Sequence, residues 1–67
     1  MTNTLSLNKN QQREVNTTLA RMPALGNDYA ARCLSALYRS AMRDSQKREI
    51  LSIAVAYKLA SNPEFII

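Results

Sequence analysis

The sequence predicts an all-α protein, and three observations predict it. Nine alanines and eight leucines stand against one glycine (Gly26) and two prolines (Pro23, Pro63), a composition suited to helix and poor for hairpins. No stretch alternates apolar and polar residues for long enough to make a strand. Apolar positions recur at helical spacing instead, dividing the sequence into three helices at about 8–22, 28–43 and 46–61.

Residues 1–7 read as a flexible N-terminal segment and 8–67 as a single helical domain. Asn8, followed three positions later by Gln11, fits a capping box with Asn in place of the usual Ser or Thr, and Ser6 is a second candidate cap. Helix one then carries Val15, Leu19 and Met22 at i, i+4 and i+7, a narrow apolar stripe on a polar rod. Pro23 removes a donor and biases Met22 away from helix, while Gly26 supplies a flexible point. A tight connection is therefore expected at 23–27, with Asn27 or Asp28 capping helix two.

At 100° per residue, helix two places Ala30, Leu34, Leu37, Tyr38 and Ala41 in one sector, with Cys33 and Met42 at its edges and Arg32, Arg39 and Arg43 opposite. Nothing between Asn27 and Asn62 is Gly or Pro, so phase must decide where this helix ends. Continuing its rotation would bring Asp44, Ser45 and Arg48 into the apolar sector and swing Ile50, Ile53 and Tyr57 to the arginine side. A turn is expected at about 44–46, with Asp44 or Ser45 as cap.

Helix three is apolar nearly all the way round, through Ile50, Leu51, Ile53, Ala54, Val55, Ala56, Tyr57, Leu59 and Ala60, with Ser52 and Lys58 as interruptions. Such a helix needs cover on several sides. Asn62-Pro63 stops it, and Phe65-Ile66-Ile67 forms an apolar tail beyond.

The same residues narrow the function classes. A single core below about 70 to 80 residues rarely supplies more than roughly 3 to 5 kcal/mol. Cys33 is the only cysteine, so a disulfide within the chain is excluded, and the ligands for a zinc site are missing. Oligomerisation is the remaining staple. With no histidine, and with Glu14, Asp28, Asp44, Glu49 and Glu64 scattered among bases, the chain reads as non-enzymatic, with no catalytic, cofactor or metal residues assigned. The opening residues lack a basic region and a long apolar run, and Ile50–Ala60 is too short to span a bilayer, so a cytoplasmic protein with no membrane partner is expected.

Two surfaces are candidates for contact. The seam of a homodimer is expected on helix three and the tail, at Ile50, Ile53, Ala54, Tyr57, Phe65 and Ile66. A basic cluster, Arg39, Arg43, Lys47 and Arg48, surrounds the turn between helices two and three and, together with Gln46, suits an anionic partner, unless it is simply a solvated face. Lys47 and Arg48 fall in the first turn of helix three, where the macrodipole disfavours cations. Helices two and three, at 28–61, also resemble a helix-turn-helix in outline, with Ser45, Gln46, Lys47 and Arg48 where base-reading residues would lie, so a DNA-binding regulator is the alternative function. Against it stand the missing turn glycine and a helix three too apolar for a wet groove.

In its polar Asn/Gln-rich start and compact RDSQKREILSIAVAYKLA segment, the chain resembles the small helical accessory proteins of temperate, lambda-like bacteriophage early regions. That resemblance implies expression inside a bacterial host and action by binding host or phage factors, without catalysis, and it assigns no site residue. The reading is a small homodimeric regulatory or accessory protein acting through protein contact.

Overall fold

The structure, a computed structural model, describes residues 6–67, so most of the predicted flexible segment, residues 1–5, lies outside the described residues. Three α-helices succeed one another, α1 (Lys9–Leu25), α2 (Asn27–Ser40) and α3 (Asp44–Ala56), and no strand occurs among the described residues. The all-α fold class is thus correct, while every predicted helix boundary except the first shifts by more than one residue or loses its expected cap.

The start of α1 agrees with the sequence reading. The Asn8 side chain accepts from the Gln11 backbone N–H at 2.8 Å, and the Gln11 side chain accepts from the Asn8 N–H at 3.0 Å, which closes the capping box. Leu7, placed by the sequence in a flexible segment, is buried just ahead of this cap. Its apolar side chain is worth more to a small core than to solvent.

The end of α1 departs from expectation. The helix runs through Pro23 to Leu25, and the predicted five-residue connection shrinks to Gly26 alone. Pro23 is exposed, so its ring and missing donor fall on the solvent side, while Leu19 and Met22 pack against the core and hold the last turn helical. Gly26 ends one helix and begins the next: its N–H donates to Met22 O at 2.8 Å and its carbonyl accepts from Ala30 N–H at 3.3 Å. It does so at φ 95°, ψ 169°, a conformation open in practice only to glycine. Asn27 and Asp28 therefore lie inside the first turn of α2, and Asp28 complements the dipole there.

Helices α1 and α2 would together measure about 46 Å end to end at 1.5 Å per residue. The molecule's longest extent is 28 Å, so the two fold back on each other about Gly26. The third helix packs on α2 and leaves a cleft between itself and α1. Small side chains on α2, Ala30, Ala31 and Ser35, are buried beside Leu34 and permit that double packing.

Helix α2 stops at Ser40, three residues before the predicted end, and the turn is 41–43 in place of 44–46. Ala41 leaves the helix in extended conformation yet stays buried, which turns the chain before Asp44 can reach the apolar sector. Asp44 is consequently not a cap; Arg43 holds that position without a side-chain hydrogen bond, and Asp44 sits in the first turn of α3.

Helix α3 ends at Ala56, five residues earlier than expected. Lys58 adopts φ 59°, its N–H donates to Val55 O at 3.0 Å, and the Leu59 N–H donates to Ala54 O at 2.7 Å. These are the two bonds of a Schellman motif, with Lys58 at the left-handed position that glycine usually takes. The reason lies in Leu59. Had the helix continued, Leu59 would stand about 20° from both Arg48 and Ser52, on the solvent face. The left-handed step turns it inward, where it is 0% exposed.

Beyond the motif the tail folds back. The Glu64 N–H donates to Asn62 Oδ1 at 2.8 Å, and Asn62 Nδ2 donates to Asp28 Oδ1 at 3.0 Å, which ties the end of α3 to the start of α2. Ser35 Oγ reaches the carbonyls of Arg32 at 3.0 Å and Glu64 at 3.4 Å. Phe65 is buried edge-on against Tyr38, with ring centroids 6.4 Å apart. The tail thus runs along α2 towards its C-terminal end.

Candidate functional site

The five residues expected to meet an anionic partner do not share one environment. Arg39, in the last turn of α2, Arg43, in the turn, and Arg48, in α3, are exposed. Gln46 and Lys47 are half-buried. The Gln46 amide donates to Ser6 O at 3.3 Å and accepts from Gln11 Nε2 at 3.4 Å, which straps the segment before α1 across the start of α3. Lys47 Nζ lies 5.4 Å from the centroid of the Tyr38 ring. A cation over an aromatic face contributes about 0.5–1 kcal/mol at exposed sites, comparable to the dipole penalty at a helix start. The locally unfavourable lysine thereby has a structural partner.

Among the described residues the only ion pair is Arg32 Nε to Glu64 Oε1, at 3.7 Å and largely solvent-exposed. Arg39, Arg43 and Arg48 therefore have no carboxylate within 4.0 Å among those residues. Glu49, the nearest acid in sequence to Lys47 and Arg48, is half-buried and lines the cleft towards α1, about 160° round α3 from Lys47 and about 100° from Arg48. Asp44 is the acid left exposed beside the arginines. Between Arg39 and Arg43 stands Met42, 90% exposed. Sequence reasoning placed Met42 at the edge of helix two's apolar face; the early end of α2 puts it on the turn instead.

The six residues expected at a dimer seam also divide. Ile50 and Ala54 are fully buried and Phe65 nearly so, all in the chain's own core. The shortened α3 and the returning tail provide the cover that the sequence reading assigned to a second subunit. Ile53 is half-buried at the cleft, whereas Tyr57 and Ile66 are exposed. Val55, Ile67 and Leu25 are exposed too.

The cleft between α1 and α3 is lined by Leu7, Gln12, Val15, Asn16, Glu49 and Ile53 and holds about 90 Å³, well under the roughly 300–1,000 Å³ usual for a small-molecule site. Among the described residues no three His, Cys, Asp or Glu side chains come together as metal ligands. Cys33, expected at the edge of helix two's apolar face, is half-buried and free. No helix among the described residues is long and apolar enough to cross a membrane. Searched against protein-family models, curated proteins and solved structures, the chain matches none. The surfaces with the most chemistry to offer are thus the cationic turn carrying Met42 and the exposed apolar side chains.

Proposed function

We propose that this chain is a non-enzymatic contact protein, a small helical accessory or regulatory subunit of the kind its resemblance to phage early proteins implies, and that it associates as a homodimer. The observation that carries this reading is the distribution of large apolar side chains. Leu25, Met42, Val55, Tyr57, Ile66 and Ile67 stand exposed around a core that the chain has already closed for itself. Six large apolar side chains left in solvent on a chain of 67 residues supply apolar surface that a partner can cover.

The second copy is placed on the outer face of α3. Ser52, Val55 and Ala56 are exposed there within about 100° of one another, and Tyr57 is exposed where the helix ends, so a partner helix can approach closely and has a ring to bury. Ile50, Ala54 and Phe65, buried in the chain's own core, do not join it.

Sedimentation at micromolar concentration tests the dimer. The wild type is expected to sediment as a dimer, and Val55→Asp with Tyr57→Asp as a folded monomer, since a carboxylate at a desolvated seam is costly. A wild type that is monomeric throughout that range, or a double variant that stays dimeric, would overturn the placement.

A further inference from the structure

We propose that the turn between α2 and α3 is a docking surface for an acidic, amphipathic segment of a partner protein, with Met42 as the apolar anchor and Arg39, Arg43 and Arg48 as the charged surround. The inference rests on the contact-protein reading and adds to it the chemistry of the partner.

Three observations carry it. First, Met42 is 90% exposed on a three-residue turn, with little among the described residues to cover it. A flexible, polarisable thioether on a protruding turn suits a contact that must adapt to an apolar partner side chain. Second, Arg39, Arg43 and Arg48 lie within six residues of it in sequence, exposed and without carboxylate partners among the described residues, and each guanidinium offers a forked donor set matched to a carboxylate. The position of Tyr38 below Lys47 holds the first turn of α3 against the last turns of α2, so these cations stand on one end of the molecule. Third, two of the four residues placed where a helix-turn-helix would read bases are engaged elsewhere: Gln46 is bonded to Ser6 and Gln11, and Lys47 lies over Tyr38.

Charge and apolarity together select the occupant. A phosphate backbone would complement the arginines yet leave Met42 against a polar surface. An acidic segment with an apolar stripe satisfies both, with carboxylates on the guanidinium groups and one apolar side chain on the methionine.

The test uses the full chain and three labelled probes tracked by fluorescence anisotropy. They are a synthetic helical peptide with Glu on one face and Leu on the other, a scrambled peptide of the same composition, and a random-sequence DNA duplex. The amphipathic peptide is expected to bind more tightly than either of the others at the same salt. Met42→Ser is expected to weaken it about tenfold, the loss typical of an interface anchor. The triple variant Arg39→Gln, Arg43→Gln, Arg48→Gln is expected to remove most of its salt dependence. All four side chains are exposed, so the thermal melt should not move in either variant. On the wild type, peptide addition should shift backbone amide resonances of residues 39–48.

Tighter binding of the duplex, equal binding of the scrambled peptide, an unaffected Met42→Ser variant, resonance shifts confined to other residues, or no binding of any probe would each overturn the proposal. The dimer is scored separately: the Val55→Asp, Tyr57→Asp variant should bind the peptide as the wild type does, so the loss of self-association alone does not touch this surface.

Discussion

At the scale of single residues, Lys58 shows how a side chain can sit against its own preference because the neighbour it delivers is worth more. A left-handed conformation costs a residue with a Cβ about 1–2 kcal/mol. Here it buries Leu59 completely and completes the hydrogen bonding at the end of α3. Lys58→Gly keeps both bonds and removes the penalty. It is expected to stabilise the protein by about 1 kcal/mol, read as a higher urea midpoint with an unchanged slope. A midpoint that stays put would mean the lysine is not strained. The signal was present in the sequence, because rotating α3 onward puts Leu59 between Arg48 and Ser52, but it becomes visible only once the phase of the buried face is fixed by Ile50 and Ala54. The capping box of Asn8 and Gln11 needed no such context and was legible directly, since both partners lie three residues apart.

At the scale of elements, the connections carry the information that helix periodicity leaves out. Gly26 alone joins α1 to α2, and a Cβ built on it would meet no atom within 4 Å. Any cost of Gly26→Ala is therefore conformational. Holding a residue with a side chain in that region costs of order 1–3 kcal/mol, so the variant should melt measurably lower with the helical signal of the folded baseline unchanged. An unaltered melt would show that the hinge relaxes at no cost. The same connection explains why Pro23 did not end α1. Proline bias acts locally on Met22, whereas Met22 and Leu19 are held by packing against the core on the other side of the helix. Local preference lost to a tertiary contact. In the α2–α3 turn the phase argument located a break correctly to within three residues, and the burial of Ala41 decided which side of Asp44 it fell.

At the scale of the whole molecule, one chain closes a core of its own. The accessible surface of 4508 Å² is close to the roughly 4,200 Å² expected of a compact monomer of this mass. A second subunit would dock on a formed surface, without completing the core. Ile50, fully buried at the middle of that core, gives the sharpest check. Truncation of such a side chain to alanine costs about 2–5 kcal/mol, against a total of roughly 3–5 kcal/mol for a core of this size. Ile50→Ala should leave much of the protein unfolded at room temperature by circular dichroism, while Val55→Ala, on the exposed face, should change the melt little. A folded, cooperative Ile50→Ala protein would mean that the core is better supported than its size suggests.

The sequence by itself determined the helical class, the number of helices, the cap of the first and the residues with apolar character, because each stems from local propensity and from the 3.6-residue period. Only the tertiary structure decided where the helices end and which way the candidate residues face. Ile50, Ala54 and Phe65 went inward, Gln46 and Lys47 were taken up by Ser6, Gln11 and Tyr38, and Met42 was left outside. Those outcomes depend on competition among side chains for one small interior. A few kcal/mol gained by burying Leu59 or Phe65 outweighs the smaller preferences that local sequence expresses.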